Sequence, residues 1–267
     1  MHHAMQISTW QTHFPRLPVL RYRKVPGETM KDKPTEGMGE DPTWTEVQSG
    51  ICVDDDTGVP FAVVLPQEWT CAERRAIVDM TWSVYSCWVG FDRKAHAQRG
   101  AYFQLGKANG HEWFKTGRKP GLEAAAFVQP RRRFRVQARR VEECFAPAYT
   151  GAYGKSIVGL DKSGQRSMGG GISSRRGMVT VNFNPLWHTD PDGRQRWTSC
   201  ASLGGGRSQS RFGFAEYRLW IDLQRGVAWS FRGKAVVHGT WNKARQRLFK
   251  NKHQLARSGN IAWGVHP

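Results

Sequence analysis

The sequence predicts an α+β fold in which N-terminal helices pack against a C-terminal β-barrel. Between Glu68 and Trp88 the apolar residues Trp69, Ala72, Ala76, Val78, Met80 and Val84 recur roughly at helical spacing. Over about the last ninety residues, short β-rich runs alternate with turn residues, the pattern of a sandwich or barrel. No internal repeat at a fixed period is present. At 267 residues the chain suits one large domain with an elaborated periphery. The expected division is an irregular arm over 1–58 and a single domain over 59–267, with helical support over 59–150 and the barrel core over 151–267.

The elements follow in order. Residues 1 to about 58 are rich in Pro, Thr, Gly and charge without sustained periodicity, so they read as an irregular arm along the surface. Phe61 to Leu65, bounded by Pro60 and Pro66, is a strand. The helix from Glu68 to Trp88 has a capping box near its start in Thr70 and Glu73. Gly121 to Ala146 is a second helical region, broken or restarted at Pro130. Lys162 to Gly177, with three consecutive glycines and several Ser and Arg, reads as a loop. Strands are expected at Val179–Phe183, Trp197–Leu203, Phe212–Leu223, Gly226–Phe231, Lys234–His238 and Ile261–His266.

Composition narrows the partners. Lys and Arg number 40 against 22 Asp and Glu, a formal charge of +18, which favours a polyanion. Arg131, Arg132, Arg133, Arg135, Arg139 and Arg140 fall within ten residues, and a second basic stretch runs from Lys243 to Arg257. Such runs are commonly solvated faces, yet two of them with this global charge suit phosphate neutralisation. No apolar run reaches the length of a spanning helix, so a membrane partner is not expected. Five scattered cysteines without C-x-x-C spacing point to a reducing compartment, the nucleus or cytosol.

The chemistry concentrates near His188-Thr189-Asp190. In an extended segment, residues two apart project from one face, so this imidazole and carboxylate can grip one cation. His238, fifty positions on and followed by Gly239, is the best third ligand, although it could also be a satisfied core histidine. Two His and one carboxylate on one face leave open coordination positions, as in iron(II) oxygenases, whereas structural zinc takes a fourth protein ligand. His188, Asp190 and His238 are therefore the expected metal ligands, with Asp190 the catalytic carboxylate.

Four segments extend this reading: VNFNPLWHTD from Val181, GFAEYRL from Gly213, LQRGVAWSF from Leu223 and VHGT from Val237. Together they resemble the TET/JBP family, and more narrowly its fungal members, over Val179 to His266. The resemblance implies a double-stranded β-helix (jelly-roll) core and oxidation of nucleic-acid bases with Fe(II) and 2-oxoglutarate. The substrate it implies is a methylated base in DNA, double-stranded by expectation, flipped out of the stack and bound by a monomer. Whether the base is 5-methylcytosine or N6-methyladenine stays open. RNA, protein or a small molecule as substrate, or a nonenzymatic nucleic-acid-binding module, are the alternatives.

The resemblance also places contacts. An Arg after the distal His anchors 2-oxoglutarate, which points to Arg257 with Ser258, Arg245 and Arg247 being rivals. Asn182 is expected beside the cosubstrate. His266 and Asp192 are expected at the base, and Arg131, Arg132, Arg133 and Arg135 at the phosphates.

Overall fold

The computed structural model describes residues 6–26, 30–86, 99–108, 111–115, 128–153, 176–190, 197–243 and 249–266. In chain order these form helix α1 (Ile7–His13), strands β1 (Val19–Tyr22), β2 (Thr45–Glu46), β3 (Gly50–Asp54) and β4 (Pro60–Pro66), and helix α2 (Cys71–Tyr85). Strands β5 (Arg99–Ala108) and β6 (His111–Lys115) precede helix α3 (Val128–Tyr153). Then come β7 (Arg176–Asn184), β8 (Thr198–Ser202), β9 (Ser210–Phe214), β10 (Leu219–Asp222), β11 (Val227–Phe231) and β12 (His238–Asn242). Helix α4 (Lys252–Ser258) and strand β13 (Ile261–His266) end the described chain.

The strands make two sheets, a nine-stranded one in the order β1-β3-β4-β11-β8-β13-β7-β5-β6 and a four-stranded one in the order β12-β9-β10-β2. Pairing is antiparallel except for β1 with β3 and β10 with β2. The sheets face each other across an apolar layer and form a jelly-roll core, with helices on the outer face of the large sheet. The period-two alternation of strands sorts side chains between the layers. On β7 and β13, Val179, Val181, Trp263 and Val265 turn outward to meet Ile77, Met80, Phe134 and Phe145 of the helices. On β8 and β11, Cys200, Trp229 and Phe231 turn inward to meet Phe212, Phe214 and Leu219 of the small sheet. Strand β11 is buried at every position because both of its faces are covered.

Helix α2 begins where the sequence marks it. The Thr70 hydroxyl accepts from the Glu73 amide, and the Glu73 carboxylate accepts from the Thr70 amide. Helix α3, in contrast, runs through Pro130 without a break. Pro130 is its third residue, where a backbone N–H would find no acceptor within the helix, so the missing donor costs nothing.

The N-terminal arm is not irregular, contrary to the sequence expectation. It contributes α1 and edge strands to both sheets, and Trp10, Met38 and Ile51 are buried. Its strands take their shape from pairing, β1 on β3 within the arm and β2 on β10 far along the chain, which local periodicity does not register. The run Phe212–Leu223 is two strands rather than one. A 3-10 turn at Ala215–Tyr217 and a left-handed Arg218 reverse the chain, and Leu219 then pairs back on Phe214. Lys234 to Val237 is a turn, and His238 opens strand β12 rather than ending a strand: the amides of Ala235 and Val236 both return to the Arg232 carbonyl. The apolar run is explained by Val236, which fills the inner core. Most of the expected loop over 162–177 lies outside the described residues, with Arg176 and Gly177 in β7.

Candidate metal centre

After β7 the chain leaves the large sheet at Pro185 and is sewn down by its neighbours. Trp187 is buried, its amide donates to the Lys33 carbonyl (3.0 Å), and its carbonyl accepts from Asp32 (2.7 Å). The Thr35 hydroxyl, buried beside it, faces acceptors on Asn184 (2.8 Å), Pro185 (3.3 Å) and Thr240 (2.9 Å). The arm thus clamps the segment before His188 to the strand after His238.

His188 and His238 exchange both backbone hydrogen bonds, at 3.0 and 2.8 Å, in an isolated antiparallel bridge. Residues paired in this way present their side chains on the same face, and the two imidazoles lie 4.5 Å apart between centroids. Asp190 is held by its amide, which donates to the Gly233 carbonyl (2.9 Å), and by the Thr198 hydroxyl, which donates to Oδ2 at 3.3 Å. Its Oδ1 stands 3.9 Å from His188 Nε2 and 3.6 Å from His238 Nε2. One ligand atom from each of the three residues lies within 4.8 Å of the others.

The histidine environments fix which nitrogen is available. His188 Nδ1 is 2.7 Å from the Leu186 carbonyl, and His238 Nδ1 is 3.1 Å from the Val236 carbonyl. A carbonyl only accepts, so each Nδ1 carries a proton, and Nε2 is the ring nitrogen turned toward Asp190. Two imidazole Nε2 atoms and a carboxylate converging in this way fit a divalent cation. Among the described residues no fourth His, Cys, Asp or Glu joins the group, so the donor set suits an open metal site rather than a closed structural one. Nearby Cys200 keeps its proton, because burial pushes the thiol's pKa well up and the Asp190 charge adds to it.

Gly233 sets the closeness of the approach. A Cβ there would lie 2.1 Å from Asp190 Oδ2, so only glycine admits the carboxylate where it stands. The side chain of His238 is 4% exposed, that of Asp190 12% and that of His188 39%, so the centre opens to solvent on the His188 side. Inward it borders a cavity of about 90 Å³ lined by aromatic side chains of both sheets and by Thr180, Ser210, Thr240, Asn242 and Asn260. The polar end is braced by amides: Asn242 donates to the Phe183 carbonyl (3.0 Å), and Asn260 donates to Asn242 Oδ1 (2.5 Å) and the Ser208 carbonyl (3.1 Å).

Of the residues singled out from the sequence, the structure brings His188, Asp190 and His238 together. The Asn182 side chain accepts from the Asn260 backbone amide at 2.8 Å and does not line the cavity. Arg257 and Ser258 lie on α4 and do not line it either, and Arg257 is exposed. Arg131, Arg132, Arg133 and Arg135 lie on α3, in the helical layer that packs on the outer face of the large sheet, while the triad sits on the inner face. Arg133 reaches the Asp79 carbonyl of α2 (3.4 Å). His266 ends β13, four residues beyond the cavity-lining Ala262. Asp192, Arg245 and Arg247 lie outside the described residues. Sequence reasoning missed Gly233, Thr198, Asn242 and Asn260, which act on the site only through contacts made in the folded chain.

No protein-family model matches this sequence, and no curated protein matches it. Solved structures do. NgTET1 in complex with 5mC DNA is similar with a TM-score of 0.52 at 12% identity, over 98% of this chain and 88% of that one. The two share a fold. OsALKBH1 is similar with a TM-score of 0.42 at 12% identity, over 78% of this chain and 96% of that one. YcfD, a ribosomal oxygenase from Escherichia coli in complex with cobalt and 2-oxoglutarate, has a TM-score of 0.27 at 10% identity, over 77% of this chain and 47% of that one. Likenesses as weak as the last two say nothing about the chemistry of this chain.

Proposed function

We propose that the protein is an Fe(II)- and 2-oxoglutarate-dependent dioxygenase that oxidises the methyl group of a methylated base in nucleic acid. The observation that carries the reading is the ligand set: His188 Nε2, His238 Nε2 and Asp190 Oδ1 converge on one face, with both imidazoles oriented through Nδ1 by backbone carbonyls and no fourth protein ligand among the described residues. Iron bound there with 2-oxoglutarate would supply oxygen activation, the chemistry that side chains alone lack.

The remaining work falls to the chain's own residues. The carbonyls of Leu186 and Val236 orient the imidazoles, and Thr198 and the Gly233 backbone hold Asp190. Phe212 and Phe231 pack against the His238 ring, with centroids 5.8 and 4.6 Å away, and keep water from the buried side of the centre. Substrate enters from the exposed His188 side.

Two observations support a nucleic acid as substrate: the formal charge of +18, and the fold shared with a protein solved on 5mC DNA. A base within a duplex has to leave the stack to reach the centre. The test is anaerobic titration with iron(II) and 2-oxoglutarate, followed by mass spectrometry of DNA and RNA oligonucleotides carrying 5-methylcytosine or N6-methyladenine. The expected result is one iron per chain and a hydroxylated or demethylated base in the parent protein, with neither in His238→Ala. Iron binding without any oxidised oligonucleotide would remove the substrate assignment.

A further inference from the structure

Two buried polar atoms in the wall of the cavity beside the metal centre are unsatisfied. Trp229 is 2% exposed and Ser210 is 1% exposed, both line the cavity, and neither Trp229 Nε1 nor Ser210 Oγ has a hydrogen-bond partner among the described residues. Buried groups of this kind are normally paired. Indole N–H can only donate, so a partner for it has to be an acceptor. The nearby side-chain oxygen Asn242 Oδ1 already accepts from Asn260 Nδ2.

The placement gives the length of the ligand. Ser210 is paired with Asn242 on β12, and His238 is paired with Phe214, so the unsatisfied hydroxyl lies four strand positions from the metal-binding histidine. At the usual strand rise this is roughly 13 Å. A metal bond, an extended five-carbon diacid and a hydrogen bond together fill such a span. Trp229 reaches the same space from β11 of the opposite sheet, stacked near Phe212 with ring centroids 5.1 Å apart. Two unpartnered groups on facing walls of one cavity, both able to donate, suit the oxygens of one carboxylate. Among the described residues lining the cavity there is no Lys or Arg.

We infer that Trp229 Nε1–H and the Ser210 hydroxyl bind the distal carboxylate of the cosubstrate. This rests on the oxygenase reading. It places both donors on β9 and β11, apart from Arg257, which is exposed on α4.

The test compares 2-oxoglutarate with 2-oxopentanoate, which keeps the chain length and the chelating end but has a methyl group in place of the distal carboxylate. Calorimetry under anaerobic conditions with iron(II) measures the affinity of each for the parent, Trp229→Phe and Ser210→Ala, with iron affinity and thermal midpoint recorded alongside. Trp229→Phe keeps an aromatic ring in the core and removes only the donor. The expected result is that each variant weakens 2-oxoglutarate by about tenfold and leaves 2-oxopentanoate and iron unchanged. With zinc in place of iron, the Trp229 indole N–H resonance should shift on adding 2-oxoglutarate and not on adding 2-oxopentanoate. Variants that bind 2-oxoglutarate as tightly as the parent would overturn the assignment while leaving the oxygenase reading intact. A parent that takes iron but not 2-oxoglutarate would overturn both.

Discussion

A methyl group added at Gly233 would occupy the space of the Asp190 carboxylate, since the Cβ position is 2.1 Å from Oδ2 and 2.8 Å from Cγ. The backbone of Gly233 is not left-handed, so alanine is compatible with the local chain and the conflict falls on Asp190 alone. Gly233→Ala should therefore lower iron affinity by at least about tenfold, the order expected from losing a supporting contact to a metal ligand, while the thermal midpoint of the metal-free protein stays near that of the parent. Competition with a chelator reads the first and calorimetry the second; unchanged iron affinity would mean that the carboxylate adjusts. The triad itself was legible in the sequence because its residue types and spacing carry chemistry. Gly233 was not, because its reason for being glycine is a carboxylate brought to it by the backbone hydrogen bond from Asp190. The same holds for Thr198, whose hydroxyl has a meaning only once β8 lies beside Asp190.

Between elements, the link from Asp54 to Tyr217 ties the end of β3 to the turn joining β9 and β10. The Tyr217 hydroxyl donates to Asp54 Oδ2 at 2.7 Å in a buried setting, and its ring stacks on Phe61 with centroids 4.1 Å apart. Burial pushes the Asp54 carboxyl up, but hydrogen bonds from Tyr217 and from the amides of Thr57 and Asp56 outweigh it and leave the pKa lowered. A folded pKa below the unfolded one contributes stability above the unfolded carboxylate range, and this is lost as pH falls through the folded value. Tyr217→Phe should thus cost about 1.5–3 kcal/mol at neutral pH, and the gap between variant and parent should close on acidification. Urea titrations at the two pH values measure it, and a gap independent of pH would show that the ring rather than the hydrogen bond matters. Strands β4 and β13 and helix α2 were legible because their bounds are marked locally, by prolines, by alternation and by the Thr70–Glu73 pair. The strands of the arm were not, since β1 and β2 exist only as edges laid in parallel on β3 and β10.

For the molecule as a whole, the +18 charge is a property the sequence states outright, but its distribution over the fold is not. The arginines of α3 sit on the helical layer, and several are engaged there, Arg139 with Glu143 at 2.7 Å and Arg140 with Glu73 at 3.5 Å. The proposed binding to nucleic acid, tested on duplex DNA, should weaken steeply with salt, by about 0.9 logarithmic units per logarithmic unit of salt for each phosphate neutralised. Replacing Arg132 and Arg133 by Gln reduces that slope by nearly two if both touch phosphate, and leaves it unchanged if the helical layer faces away from the duplex; fluorescence anisotropy across a salt series distinguishes the two. The clamp formed by Asp32, Lys33 and Thr35 has a consequence at this same scale. Because it grips the chain on either side of the two histidines, a cation that rigidifies the centre also steadies a stretch over a hundred and fifty positions upstream, through the Thr35–Thr240 and Lys33–Trp187 hydrogen bonds. Coupling of this kind is reciprocal. Trypsin acting after the exposed Lys31 should nick the metal-free protein faster than the iron-loaded one, and a chain cut there should release its iron more readily.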